Sequence, residues 1–211
     1  MSIKNVAILG GAFDPVHDDH LALAKVCLEK GICDEVWFVP SPNRWDKQLN
    51  ATPEDRIQML ENAISEDSRL ILSDFEINMG DYRGSYYTMC ALRDAYPECR
   101  FRLLVGADSY SGIPHWRDPL NFFGTEFNGD LLLKEFELIV FSRRGYPNPD
   151  KEVHLAKGYA PLFLIGKEDG FEGTYSSTEI RKSLWKKRSN CPDGLMEKNY
   201  RYILKKGLYL E

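Results

Sequence analysis

The fold is decided by the stretch Val6-Ala7-Ile8-Leu9-Gly10-Gly11-Ala12-Phe13-Asp14-Pro15-Val16-His17-Asp18-Asp19-His20. An apolar run ends there in two adjacent glycines, and a helix-forming segment that carries two histidines follows. Adjacent glycines permit a sharp backbone turn, and a helix that starts after it presents unpaired N–H groups and a positive dipole end. His17 and His20, three residues apart, would lie on one face of the first helical turn. The stretch therefore predicts a strand, a glycine turn and a helix start that together bind phosphate.

Apolar, β-branched runs alternate with amphipathic segments along the rest of the chain. They predict strands at 5–9, 35–40, 69–73, 101–105, 137–141 and 160–165, and helices at 17–30, 53–65, 85–95, 116–122, 177–187 and 194–206. This alternation predicts an α/β fold of the Rossmann-like, doubly wound type, with a mainly parallel sheet and helices on both faces. Ligands would bind at the carboxyl ends of the strands. Glycines and aromatic residues in 124–130 favour a loop or flap there.

Composition narrows the class of protein. A chain of 211 residues predicts a single domain over 1–211, and a net charge of −5 argues against a nucleic acid polymer as partner. The five cysteines are odd in number and lack C-x-x-C spacing, which favours reduced thiols over a disulfide framework or zinc site. Without a signal peptide pattern or an apolar run of membrane-spanning length, we expect a soluble, cytoplasmic protein with no membrane partner. The sequence leaves open whether it forms a homo-oligomer.

A second polar block, Ser176-Ser177-Thr178-Glu179-Ile180-Arg181, begins the predicted helix at 177–187. Hydroxyls and free N–H groups at a helix start can hold an anion, and Arg181, one turn later, can supply a fixed cation. The same spacing of Ser176 and Glu179 also fits an ordinary capping box. For the two histidines the alternatives are a helix cap and an H-x-x-H metal pair.

The two blocks resemble the G-x-F-D-P-x-H-x-G-H and S-S-T-x-I-R motifs of the nucleotidyltransferase superfamily. Along nearly its whole length the chain resembles the nicotinate or nicotinamide mononucleotide adenylyltransferases most closely. The resemblance implies that the phosphate of either mononucleotide attacks ATP, forming deamido-NAD or NAD and releasing pyrophosphate. It implies Mg²⁺ as a cofactor held mainly by the ATP phosphates, with no metal site built from protein side chains.

The resemblance also assigns roles to individual residues. It implies catalytic roles for His17, His20 and Arg181. The residues implied in ATP binding are Gly10, Gly11, Phe13, His17, His20, Gly106, Asp108, Ser176, Ser177, Thr178 and Arg181, and those implied in mononucleotide binding are Lys47, Thr88, Trp116 and Arg144. Asp108 would accept hydrogen bonds from the ribose, and Trp116 would stack on the pyridine ring. Alternative roles are a turn cap for Asp108, core packing for Trp116 and solvated surface positions for Lys47, Thr88 and Arg144.

Adenylyl transfer suits this set of residues. A phosphate monoester is already anionic near neutral pH, because its second pKa is about 6, so no general base is required. Catalysis can then rest on holding two anions together and on neutralising charge as it develops.

Two departures from the family pattern are visible. Asp19 stands where the motif has glycine, which adds bulk and negative charge near the expected nucleotide, although it could accept a ribose hydroxyl or help to bind Mg²⁺. The family's P-P-H-K loop is replaced by Arg44-Trp45-Asp46-Lys47, in which only the lysine is retained.

Three other functions remain as alternatives. One is another nucleotidyltransferase reaction, on pantetheine phosphate or forming a CDP-alcohol. The second is nucleotide binding without turnover, and the third is metal-dependent hydrolysis that uses the two histidines. The acid and amide forms of the pyridine substrate are not distinguished, because backbone N–H groups can select between them.

Overall fold

A six-stranded sheet organises the chain in the computed structural model, which describes residues 3–43, 48–80, 82–186 and 190–209. Its strands are β1 (Lys4–Gly11), β2 (Glu35–Pro40), β3 (Leu70–Leu72), β4 (Cys99–Gly106), β5 (Glu137–Phe141) and β6 (Leu162–Ile165). All neighbouring strands pair in parallel, in the order β3-β2-β1-β4-β5-β6. This order is that of the doubly wound dinucleotide-binding fold, whose topological switch point lies between β1 and β4. The predicted fold class is confirmed.

The helices are α1 (Asp18–Glu29), α2 (Pro53–Ile64), α3 (Phe75–Asn78), α4 (Ser85–Ala95), α5 (Ala107–Tyr110), α6 (Gly129–Glu135), α7 (Lys151–Ala156), α8 (Ser177–Lys186) and α9 (Glu197–Lys206). Local chemistry sets several of their ends. The hydroxyl of Thr52 accepts the N–H of Asp55 at 3.2 Å and Pro53 opens the first turn of α2, as its sequence predicts. Gly207 ends α9 in the left-handed region, with φ of 68°.

Alternation along the strands divides the core into two layers. Ala7 and Leu9 of β1 face one side of the sheet, where they belong to the same apolar cluster as buried residues of α1, α2, α8 and α9. Val6 and Ile8 face the other side, with residues of α4 and α6. Because both faces are covered, the strands are apolar on both sides, as parallel sheets require.

The predicted helix at 116–122 is wrong. Trp116 follows a 3₁₀ turn at Ile113–His115, and the chain then folds back on itself so that Arg117 pairs with Phe127 in an antiparallel bridge. Pro119 explains the difference, because a proline disfavours the helical conformation in the residue before it. The expected loop at 124–130 ends early, since α6 begins at Gly129.

Other boundaries also shift. The last predicted helix begins at Glu197 rather than residue 194, and the four short helices α3, α5, α6 and α7 were not predicted. None of the described helices has the length and apolar character needed to cross a lipid bilayer.

Candidate active site

A cavity of about 710 Å³ lies at the carboxyl ends of β1 and β4, at the switch point of the sheet. Residues 9–11 of β1 and 103–106 of β4 line its floor, and His20, Asp108, Trp116 and Arg143 lie around it. Its volume is within the range of cavities that enclose a cofactor or a drug-sized ligand. The cavity brings together residues from both halves of the fold.

The two glycines act differently from the prediction. Gly10 and Gly11 are the last residues of β1, and neither adopts a left-handed φ, so they do not form the turn. A Cβ at Gly10 would meet no atom within 4 Å, and one at Gly11 would lie 3.3 Å from the ring of Phe13. Phe13 itself takes the left-handed conformation, with φ of 49°. The turn therefore comes after the glycines, and the missing side chain at Gly10 leaves the floor of the cavity open.

His17 and His20 form a close pair of tilted rings at the start of α1. His17 is the N-cap residue, its backbone N–H donates to Nδ1 of His20 at 3.2 Å, and the ring centroids are 3.7 Å apart. This bond leaves the neutral form of His20 with its proton on Nε2. His20 lines the cavity, whereas His17 is 5% exposed. The predicted shared face is thus present, and His20 can offer an N–H group to a ligand.

The surroundings keep both imidazoles uncharged. Burial, with a smaller contribution from the positive charge of Arg143, lowers the pKa of His17 from 6.5 to about 4. Burial also lowers the pKa of His20 well below 6.5, and the neighbouring His17 and Arg143 act in the same direction. At neutral pH the pair consists of two neutral hydrogen-bonding rings rather than two cations.

Gly106 and Asp108 occupy the end of β4 as the G-x-D pattern predicts. A Cβ at Gly106 would overlap Oδ1 of Asp108, so the absence of a side chain lets the carboxylate fold back over the strand end. Asp108 is about one-third exposed, and its Oδ1 lies 3.7 Å from Nε of Arg143. The site thus carries a carboxylate with an arginine beside it.

Arg143 was not among the candidate residues, and the neighbouring Arg144 was. The structure places Arg143 on the cavity wall, above the ring of Phe141 at 5.6 Å, while Arg144 is exposed. Arg143 follows β5 by two residues and pairs with Gly173 in a parallel bridge, which directs it toward the strand ends. The sequence signal for Arg143 was its position just beyond the carboxyl end of a buried strand. Arg144 shares that position, so the signal did not distinguish the two arginines.

The second polar block packs against the turn that precedes α1. Ser177 Oγ donates to the carbonyl of Pro15 at 2.8 Å, and Arg181 Nη1 donates to the carbonyl of Asp14 at 2.5 Å. Thr178 Oγ1 accepts from Arg181 Nη2 at 3.3 Å. Ser177 and Arg181 thus fix α8 to the turn before the histidines, and the described part of the cavity lining includes neither of them nor Thr178.

Ser176 serves as the cap of α8. Its hydroxyl accepts the N–H of Glu179 at 3.2 Å and lies 3.1 Å from Oε2 of Glu179. One half of the capping-box alternative is therefore present, while the Glu179 carboxylate contacts the Ser176 hydroxyl and not its backbone N–H.

The residues predicted to bind the mononucleotide do not all line the cavity. Trp116 lines the cavity, partly buried. Thr88 is buried and its hydroxyl contacts Oε1 of Glu76 at 2.6 Å, so it supports a carboxylate on the cavity wall instead of facing the cavity. Lys47 lies outside the described residues. Glu76, Gly84, Ser85 and Arg117 line the cavity and were not predicted.

The Asp19 side chain is directed to the protein itself. Its Oδ2 accepts the backbone N–H groups of Thr174 at 2.6 Å and Tyr175 at 2.7 Å. Asp19 is therefore hydrogen-bonded to the protein backbone, whereas the sequence suggested a ribose hydroxyl or Mg²⁺ as its partner.

Residues 8–183 match the cytidylyltransferase-like family model, and this defines the class of protein. A curated relative from Clostridium botulinum (strain Loch Maree / Type A3), described as a probable nicotinate-nucleotide adenylyltransferase, is 33% identical over 97% of this chain and 98% of its own length. One from Bacteroides fragilis with the same description is 31% identical over 87% of this chain and 84% of its own length. The chain therefore belongs to the nicotinate-nucleotide adenylyltransferase family.

Solved structures agree on the fold. The Plasmodium falciparum nicotinic acid mononucleotide adenylyltransferase complexed with NaAD superposes with a TM-score of 0.78 at 24% identity, covering 98% of this chain and 97% of that one. A structure from Vibrio parahaemolyticus, described as a putative nicotinate-nucleotide adenylyltransferase, superposes with a TM-score of 0.63 at 18% identity. The match covers 99% of this chain and 96% of that one.

Proposed function

We propose that this protein joins ATP to nicotinate mononucleotide, releasing pyrophosphate and forming deamido-NAD for NAD synthesis. The observation that carries the proposal is the neutral His17–His20 pair at the start of α1, beside a cavity that also holds Asp108, Arg143 and Trp116. Family membership supports the same reaction. The cavity offers hydrogen-bond donors, a cation, a carboxylate and an aromatic platform, which are the groups that two nucleotides require.

The residues would act by positioning and by charge stabilisation. The mononucleotide phosphate needs no base, because its second pKa is about 6. His20 would donate its Nε2 proton in a hydrogen bond to a phosphate oxygen of ATP, and Arg143 would balance negative charge as pyrophosphate leaves. Asp108 would accept from the ribose, and Trp116 would stack on the pyridine ring. Arg181 and Ser177 would hold α8 against the turn that precedes α1.

The acid form of the substrate is favoured by the start of α4. Gly84 and Ser85, at the N-terminus of this eleven-residue helix, line the same cavity as Trp116. Gly84 takes φ of 85° and none of the described side chains caps the helix, so its first N–H groups would be available to an anion. A helix N-terminus stabilises a carboxylate more than an uncharged carboxamide.

Mg²⁺ would be held mainly by the phosphate oxygens of ATP and would neutralise charge on the leaving group. The described residues contain no group of three or more His, Cys, Asp or Glu side chains that could hold a metal ion. Of the carboxylates that line the described part of the wall, Glu76 contacts Thr88 and Asp108 lies beside Arg143. Such a donor set fits an ion that arrives with its nucleotide.

The test is a turnover assay on the purified protein. ATP and Mg²⁺ are supplied with nicotinate mononucleotide or nicotinamide mononucleotide, and pyrophosphate and dinucleotide are both quantified. We expect turnover with a preference for the acid, and a loss of about 10²–10³ in kcat for His20→Ala, the usual effect of removing one transition-state donor. Absence of dinucleotide with both substrates, in a folded protein that binds ATP, would refute the proposal.

A further inference from the structure

Asp19 ties together two segments that lie far apart in the sequence. It is the second residue of α1, next to the histidine pair, and its carboxylate accepts the N–H groups of Thr174 and Tyr175 at 2.6 and 2.7 Å. Those residues come directly before Ser176, the cap of α8. Hydrogen bonds to an ionised acceptor are about twice as strong as neutral ones. The residue in place of the motif glycine therefore anchors the loop that leads into α8.

The anchored loop also contacts the cavity wall. Nη1 of Arg143 lies 3.5 Å from the carbonyl of Tyr175, and a Cβ at Gly173 would lie 3.4 Å from that nitrogen and 3.5 Å from Oδ2 of Asp19. Gly173 is buried between these two side chains. The loop at 173–175 is thus held from one side by Asp19 and from the other by Arg143, which reaches on to Asp108.

The charge of Asp19 is directed away from the nucleotide site. Among the described residues that line the cavity, Asp19 is absent, and its Oδ2 is already engaged by two N–H groups. Direct binding of Mg²⁺ requires a carboxylate oxygen that faces the site, and the observed contacts do not fit that role.

We infer that Asp19 is a positioning residue, whose carboxylate fixes the 173–175 loop and thereby sets Arg143 for ATP. The inference rests on the proposed function for the identity of the nucleotide. It assigns to this chain an anchor that a glycine at the same position does not provide. Both hydrogen bonds are accepted by Oδ2, an acceptor position that an asparagine side chain could also supply.

Three variants separate anchoring from other effects. Asp19→Ala removes the acceptor, Asp19→Asn keeps an acceptor oxygen and removes the charge, and Asp18→Ala removes the same charge from the adjacent, exposed position. Hydrogen exchange of the 173–176 amides, ATP binding by calorimetry and steady-state kinetics are measured for each. Thermal unfolding shows whether each variant is folded.

Anchoring predicts a specific pattern. In Asp19→Ala, exchange at Thr174 and Tyr175 accelerates about tenfold, and Kd and KM for ATP rise about tenfold, the usual scale for loss of a charged hydrogen bond. KM for the mononucleotide changes by less than about twofold, because the loop contacts Arg143, which the proposed function assigns to ATP. Asp19→Asn and Asp18→Ala both stay within about threefold of the wild type, since the acceptor is retained in each.

Other outcomes overturn the inference. Tighter ATP binding in Asp19→Ala and Asp19→Asn would show that the carboxylate repels or competes with phosphate. Unchanged exchange in Asp19→Ala would show that it anchors nothing. Exchange and ATP affinity are independent of turnover, so a wild-type protein that binds ATP without forming dinucleotide would refute the proposed function and leave this inference to be decided by those two measurements.

Discussion

The backbone N–H of His17 donates to Nδ1 of His20 across one helical turn, at 3.2 Å, and the ring centroids lie 3.7 Å apart with the planes tilted by 38°. The same bond fixes the tautomer of His20 and directs its remaining N–H group away from the backbone. Two charged imidazoles could not share this space without strong repulsion. The two histidines would therefore act as neutral hydrogen-bond donors.

A proton titration should reveal this directly. The histidine Cε1 signals are followed by NMR between pH 8 and the lowest pH at which the protein stays folded, with His17→Gln used for assignment. We expect His17 to titrate near 4, because burial and Arg143 disfavour its charged form. A value for His17 close to 6.5 would show that the pair accepts a proton under physiological conditions.

The same shift makes stability depend on pH. The unfolded chain protonates His17 near 6.5, whereas the folded protein does so only near 4. Between these values the unfolded state binds more protons, so the free energy of unfolding falls as the pH is lowered through this window. At about 1.4 kcal/mol for each unit of pKa, the loss from this one group reaches about 3 kcal/mol.

Urea unfolding of the wild type and of His17→Gln at pH 7.5 and 4.5 measures that contribution. Because glutamine does not titrate, the loss of stability between the two pH values should be smaller in the variant by about 2 kcal/mol. Equal losses in the two proteins would place the pH dependence in other groups.

Arg143 and Arg144 offer a matched pair for testing the cavity wall. Arg143→Met should raise KM for ATP about tenfold or more, the scale of a charge-assisted contact to phosphate, whereas Arg144→Met should stay within about twofold. Arg143→Met should also raise the pKa of His17, since a positive charge that lowers it is removed. An equal effect of both substitutions would mean that only the net charge of the loop matters.

The sequence predicted the sheet well because its strands are buried on both faces. Residues 138–141, for example, are all apolar without alternation, and the strand predicted at 137–141 coincides with the observed β5 to the residue. The 116–128 region is different, because it folds back on itself through backbone bonds between residues eight and twelve positions apart. Asp118 N–H, for example, donates to the carbonyl of Glu126 at 3.0 Å, a pairing that no local propensity encodes.

The candidate site, too, could be predicted from the sequence only in part. Motif spacing placed His17 and His20 on one helical turn, and Gly106 with Asp108 at a strand end. Spacing alone could not choose between Arg143 and Arg144, because the choice depends on the pairing of Arg143 with Gly173. Nor could it show that Asp19 reaches a loop 155 residues away.

Tyr209 gives the last test, since it connects the end of the described chain to the histidine segment. Its hydroxyl donates to Oδ1 of Asp14 at 2.7 Å, and the same carboxylate accepts the N–H groups of Asn50 and Ala51. Asp14 is 2% exposed, so each donor that it loses leaves a buried carboxylate less satisfied. Burial and the neighbouring Asp14 raise the pKa of the Tyr209 hydroxyl, which keeps it protonated as a donor.

Tyr209→Phe should therefore lower the free energy of unfolding by about 1.5–3 kcal/mol, the range for hydrogen bonds to charged groups. Tyr202→Phe is the matched control, because its hydroxyl donates to Asp55 at 2.7 Å in a less buried setting. We expect a smaller loss there, about 0.5–1.5 kcal/mol, because water can replace the bond. Urea unfolding at pH 7.5 compares the two variants, and a larger loss for Tyr202→Phe would contradict the assignment of Asp14 as the buried centre of this network.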